Sequence, residues 1–204
     1  MQKNRLLNSK KIVIKIGSSL LTNTRGGVNK AVLKNVVKDI VWLLSSKKEV
    51  IVVSSGAISL GRGKLNIKHD LTLNESQAVA ARGQIELMTA WKNEFKKSKK
   101  QVAQILLSPS DIKNKKSSIN AIATLENLLS FKCVPIINEN DTTSTDEIKF
   151  GDNDILAAQI ATLIKADHLI LLSNVDGLYK EPPISNKNDD LVKEVKSINN
   201  KIRD

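Results

Sequence analysis

A doubly wound α/β fold on a mainly parallel sheet follows from three features of this chain. Five short aliphatic runs are each bounded by polar or glycine signals, which is how parallel strands buried on both faces read. Helical-period patterns of ten or more residues lie between them. Two clusters of acids and amides, Asn138-Glu139-Asn140-Asp141 and Gly151-Asp152-Asn153-Asp154, then close two consecutive loops. In an open parallel sheet such loops sit over the carboxyl ends of the strands, where ligands bind.

The strand-like runs are Lys11 to Ile16, Val50 to Val53, Val102 to Leu107, Cys133 to Ile137 and His168 to Leu172. Between the first two, Val32, Val36, Ile40 and Leu44 share one helical face. A helix is expected to begin near Ala57. Beyond it, Ala78, Ala81, Ile85, Met88 and Phe95 are expected to form another apolar face. Further helical patterns span roughly Ser117 to Ser130 and Asp154 to Lys165. The stretch from Pro182 to Asp190 reads as a loop, and Leu191 to Asp204 leaves room for one more short element.

Composition narrows the class. At 204 residues and 41% hydrophobic, the chain can bury a core as one domain or a little more. Aromatics make up 3%, so that core must be aliphatic. The single cysteine, Cys133, lies in an apolar run, which argues against a disulfide or thiolate metal site and fits a reducing, cytoplasmic setting. No apolar run reaches membrane-spanning length, and residues 1–10 lack the apolar core of a signal peptide.

The formal net charge of +11 raises the question of nucleic acid. Lys96, Lys97, Lys99 and Lys100 close a helix, where cations complement the dipole, and Lys113, Lys115 and Lys116 read as a loop. Neither group is interleaved with stacking aromatics, so a solvated basic surface is the better reading.

Lys15 stands inside a strand buried on both faces, where an unpaired ammonium is costly. It either snorkels to water or meets an anion, with Gly17-Ser18-Ser19 following to turn backbone amides toward a phosphate. Ser54-Ser55-Gly56 repeats the pattern after the second strand, as a ligand turn or as the cap of the next helix. Asp141 could face a substrate ammonium. Asp154 could orient Lys15 or hold a metal through water, and a carboxylate and lysine so paired suit phosphoryl transfer. Asp176-Gly177 reads as a turn. His69, His168, Trp42 and Trp91 show no ligand spacing, and the chain has no Walker-type loop, no GxGxxG and no zinc spacing.

Four segments in this order, KIVIKIGSSLLT, VIVVSSGAISLG, VPIINENDTTSTDEIKFGDNDILAA and LILLSNVDGLY, resemble the amino-acid kinase family and, within it, the glutamate 5-kinases. The resemblance runs from Lys10 to about Asp190. The INEND and KFGDND pair is particular to that branch; the first-strand lysine-glycine turn and DGLY are shared with carbamate, aspartate and acetylglutamate kinases.

The resemblance implies a three-layer α/β/α sandwich with an open, mainly parallel sheet, and ATP-dependent phosphorylation of the L-glutamate side-chain carboxylate, the first step of proline biosynthesis. It places Lys15 at the transferring phosphoryl group, with Gly17 and Ser18 beside the phosphates. Ser55, Asp141 and Asn153 fall at glutamate-binding positions, and Asp154 organises Lys15 and, indirectly, Mg2+. Ser173 and Asn174 stand where the family has a nucleotide-contacting Thr-Asp pair, Asn174 lacking the charge.

Family members continue into a Thr-Gly-Gly segment with a second lysine, further strands and often an RNA-binding-like accessory domain. The sequence of residues 1–204 ends before these. The expectation is therefore one kinase domain incomplete in its nucleotide part, with glutamate binding better preserved than phosphotransfer. A homo-oligomer and proline as feedback inhibitor are also implied. The competing readings are an acetylglutamate or aspartate kinase and a non-catalytic glutamate or proline sensor.

Overall fold

The computed structural model describes residues 6–143, 152–179 and 191–197. Gly151 and the stretch from Pro182 to Asp190, both singled out from sequence, lie outside the described residues. The chain divides into two compact units, residues 1–172 and 173–204.

The first unit contains β1 (Lys11–Ile16), α1 (Ser18–Leu21), α2 (Lys30–Ser45), β2 (Glu49–Ser54), α3 (Ala57–Leu65), α4 (Leu73–Lys96), β3 (Gln101–Leu107), α5 (Pro109–Lys113), α6 (Lys115–Ser130), β4 (Cys133–Glu139), α7 (Asp152–Leu163) and β5 (His168–Leu172). The strands form one sheet in the order β3-β4-β2-β1-β5, and each pairing is parallel. All five expected strands are present, and the alternation with helices is as the sequence predicts. In the second unit, Tyr179 bridges Leu191 in antiparallel fashion and Val192 N–H donates to Leu178 O at 2.8 Å.

Strand side chains alternate between the two faces, and that parity sorts the core into two clusters. Ile12, Ile14 and Ile16 of β1, Val50 and Val52 of β2, and Val134 and Ile136 of β4 pack with Leu33, Val37 and Ile40 of α2 and Ala80, Leu87, Trp91 and Phe95 of α4. Val13, Ile51, Val53 and Ile137 pack on the opposite face with Leu125 of α6 and Leu156, Ala157 and Ile160 of α7. The result is a helical layer on each side of the sheet.

Local signals explain where the helices start. Asn29 accepts from Val32 N–H ahead of α2, Thr72 and Glu75 form a reciprocal capping box on α4, and Ser108 and Asp111 do the same on α5, each satisfying amide donors that the first turn leaves free. Lys113 closes α5 while Lys115 and Lys116 open α6, with Asn114 capping the latter. That corrects the loop expected there: the Asn114 side chain accepts from the N–H groups of Lys116 and Ser117 and starts a helix at once.

The face of α4 also differs from expectation. Ala78 and Ala81 are exposed and Ile85 is 63% exposed, whereas Val79, Ala80, Gly83, Leu87, Trp91 and Phe95 are buried. The cause is the close approach of α3. A Cβ on Gly83 would stand 1.8 Å from Ala57 O, and one on Gly61 would stand 2.0 Å from Val79 O. The two helices meet backbone to backbone through their glycines, so small residues define the contact and the bulky Ile85 turns outward.

Candidate functional site

Register brings the carboxyl ends of three strands level. Ile16 of β1 pairs with Ser54 of β2, and Val53 of β2 pairs with Ile137 of β4. Gly17, Ser55 and Asn138 therefore emerge at one rim, and Ser55 N–H donates to Ile16 O at 3.1 Å.

Lys15 shares the parity of Val13 and so faces the α7 layer. It is 8% exposed, and its Nζ lies 2.5 Å from Asp154 Oδ1 in the first turn of α7. The ammonium thus meets the Asp154 carboxylate rather than snorkelling to water. At about 4 Å and an effective dielectric near 20 such a pair attracts by roughly 4 kcal/mol; the Asp154 side chain is 47% exposed, and solvent screens it below that. A Cβ on Gly17 would lie 3.7 Å from Lys15 Nζ, so the glycine leaves the approach to the ammonium open. Gly17 N–H itself donates to Leu172 O at 3.1 Å, which differs from the anion-facing role expected of that amide: it continues the β1–β5 ladder instead.

The neighbouring residue of α7 carries the second arm. Asn153 Nδ2 donates to Ser55 Oγ at 2.8 Å and to Asn138 Oδ1 at 3.2 Å. Its Oδ1 is buried and accepts no hydrogen bond from any described residue. Asn138, 3% exposed, shares the parity of Val134 and Ile136 and faces α4, where its Nδ2 donates to Gln84 Oε1 at 2.9 Å. Consecutive residues of one helix, Asn153 and Asp154, thereby grip the ends of three strands.

The two serines divide the roles that sequence left open. Ser54 Oγ accepts from the buried Trp91 Nε1 at 3.0 Å, while Ser55 binds Asn153. Neither caps α3, whose N-cap is Gly56 at φ 110° with no side-chain hydrogen bond. Asp141 sits half-buried in the turn after β4 at the same rim. That turn is held by Asn140, whose N–H donates to Leu107 O and whose carbonyl accepts from Thr143 N–H. Ser18 opens the short helix α1. Ser173 and Asn174 belong to the second unit, where both are exposed and joined by a 3.3 Å contact of Ser173 Oγ with Asn174 Oδ1.

Gln84 and the Ser54–Trp91 pair went unread in the sequence, because a glutamine in mid-helix and a serine among aliphatics give no periodic signal. Trp91 is fully buried and Trp42 is 56% exposed, His69 contacts Glu75, and His168 contacts Ser9. Burial pushes the Cys133 thiol up, in keeping with a packing role. Among the described residues no group of three His, Cys, Asp or Glu side chains could hold a metal ion, and no helix is long and apolar enough to cross a membrane.

The amino acid kinase family model matches residues 10–200. Glutamate 5-kinase of Pelagibacter ubique (strain HTCC1062) is 50% identical over 97% of this chain and 54% of its own length. Glutamate 5-kinase of Brucella anthropi is 46% identical over 95% of this chain and 52% of its own. The chain spans about half the length of these curated relatives. The crystal structure of UMP kinase from Bacillus anthracis superposes over 88% of this chain and 71% of that one with a TM-score of 0.60 at 18% identity, which shows the same three-layer fold. The chain belongs to the amino acid kinase family.

Proposed function

We propose that this chain carries the glutamate-recognition part of a glutamate 5-kinase site and serves ATP-dependent phosphorylation of the L-glutamate side-chain carboxylate to glutamyl 5-phosphate, the first step of proline biosynthesis. The observation that carries the reading is the pair Asn153 and Asp154: one amide joined to Ser55 and Asn138, and one carboxylate joined to Lys15. Acceptors and a cation side by side fit a zwitterion whose second carboxylate must approach a phosphate.

In this reading Asn153 Oδ1, an orphaned buried acceptor, and Asp141 receive the α-ammonium, and Ser55 steers the ligand beside them. The side-chain carboxylate is already a nucleophile, so no general base is required. Its attack on the γ-phosphorus of ATP forms the carboxyl–phosphate bond and breaks the bond to the bridging oxygen, which leaves on ADP. Lys15 offsets the negative charge that crowds there, and Asp154 holds its ammonium in place. Gly17 admits the phosphates by having no side chain, with Ser18 as the proposed nucleotide contact beside it; a nucleotide role for Ser173 and Asn174 rests on the family resemblance. With a lone carboxylate at Lys15 and no three-ligand cluster among the described residues, the site fits Mg2+ that arrives on nucleotide phosphates. That ion would supply charge neutralisation. Proline feedback, self-association and a cytoplasmic setting rest on the family resemblance.

Titration calorimetry of the 204-residue chain with L-glutamate, N-acetylglutamate, L-aspartate and proline tests the assignment. Selective L-glutamate binding that is lost in Asp141→Ala and kept in the surface variant Lys97→Ala is expected. Preference for N-acetylglutamate or aspartate would transfer the chain to another kinase of the family. Proline binding without glutamate binding would make it a sensor.

A further inference from the structure

The amide chain across the rim has a fixed polarity, and the backbone sets it. Glu139 N–H can only donate, and it donates to the Asn138 side chain at 2.9 Å. That identifies the accepting atom as Asn138 Oδ1 without recourse to an amide-flip choice. The opposite end of the same amide must then be Nδ2, a donor, and Gln84 must meet it with Oε1, as it does at 2.9 Å. On the other side, a donor must approach Asn138 Oδ1, so Asn153 presents Nδ2 to it at 3.2 Å and to Ser55 Oγ at 2.8 Å. Asn153 Oδ1 is left on the far side, buried and without a donor among the described residues. Gln84 stands on α4 and Asn153 on α7, on opposite faces of the sheet, so the three amides tie the two helical layers together over the strand ends.

We propose that Gln84 is a positioning residue. By accepting from Asn138 Nδ2 it holds the Asn138 amide in the orientation that keeps Asn153 Oδ1 turned toward the ligand as an acceptor. The identity of that ligand as the L-glutamate ammonium rests on the functional reading above; the relay itself rests on the hydrogen bonds. If Gln84 loses its acceptor, Asn138 Nδ2 is left unsatisfied in a buried position, and the Asn138 amide, still pinned at Oδ1 by Glu139 N–H, loosens together with the Asn153 amide bonded to it.

Two variants separate this role from packing. Gln84→Met keeps the length and volume of the side chain but removes the acceptor, and Gln84→Glu keeps the acceptor but adds charge. In the ligand-free chain, side-chain amide hydrogen exchange of Asn138 and Asn153 is read by NMR, with the Trp91 indole N–H, bonded to Ser54 from the same helix, as an internal reference. Glutamate affinity is then measured by calorimetry. Gln84→Met is expected to speed exchange at Asn138 and Asn153, to leave Trp91 unchanged and to weaken L-glutamate binding about tenfold. Gln84→Glu is expected to stay within about threefold of the parent. Unchanged amide exchange in Gln84→Met, equal damage from Gln84→Glu, or loosening of Trp91 alongside the amides would each overturn the relay. A parent chain that binds no L-glutamate, with the amides responding as expected, would uphold the relay and overturn the functional reading alone.

Discussion

At the amino end of the sheet, a carboxylate and an ammonium are turned to backbone groups, and one side-chain pair stands beside them. The Asp167 carboxylate accepts from Lys10 N–H at 2.7 Å and Lys11 N–H at 2.9 Å, the buried Lys48 Nζ donates to Leu7 O and Ser9 O, and Ser9 Oγ meets His168 Nδ1 at 2.6 Å. At the carboxyl end, buried polar groups are turned to one another instead, and an acceptor is left over: Lys15 to Asp154, Asn153 to Ser55 and Asn138, with Asn153 Oδ1 remaining. The first arrangement closes strand ends and stabilises the fold. The second leaves an acceptor over at the rim, which is the capacity that the proposed ligand would use. Parallel strands make this division natural, since all five carboxyl ends point the same way.

The largest test concerns the support common to both ends. Gly83→Ala places a methyl where Ala57 O stands 1.8 Å away, and forcing α3 from α4 is expected to lower stability by about 3 kcal/mol in urea unfolding. Asp154→Ala comes next. It leaves the Lys15 ammonium buried without its partner, and the half-exposed setting of Asp154 reduces the usual cost of breaking a buried pair to about 2 kcal/mol. A variant as stable as the parent would show that the pair is replaced by water.

Asn153→Ala sharpens the contrast, because it removes the acceptor at the carboxyl end: glutamate affinity is expected to fall by at least about tenfold, more in binding than in urea midpoint. The reverse pattern belongs to the amino end. The backbone N–H of Lys11, and then that of Lys10, holds the Asp167 carboxyl below its ordinary range. A carboxyl depressed on folding stabilises above its unfolded value, about 3.9, and that contribution is lost as pH falls through the folded value. Asp167→Asn is therefore expected to lower stability at pH 7, to flatten the loss between pH 5 and pH 2, and to leave glutamate affinity unchanged. The smallest effect is expected from Lys97→Ala, whose exposed pair with Glu94 is worth under about 0.5 kcal/mol. An Asp167→Asn chain that lost glutamate binding would break the separation of the two ends.

Much of this was legible in the residues. The five aliphatic runs gave the strands, and the INEND and GDND clusters pointed to the rim where Asn138, Asn153 and Asp154 gather. Lys15 announced itself as a cation in an apolar strand. What was misread on α4 shows the limit: periodicity weighs Ile85 as core, yet the packing surface there is set by Gly83 against Ala57 O, an approach visible only once α3 lies across α4.

The sequence by itself determined the alternation of strand and helix, the aliphatic core and the end of the sheet at which the acid and amide clusters lie, because hydrophobic period and turn chemistry are local properties. Only the tertiary structure decided the strand order β3-β4-β2-β1-β5, the partner of Lys15 and the tie from Gln84 through Asn138 to Asn153. Those depend on residues separated by 139 positions in one case, Lys15 and Asp154, and by 54 in another, Gln84 and Asn138. Parity on a strand says which face a side chain takes, but which helix waits there is settled by how the layers pack.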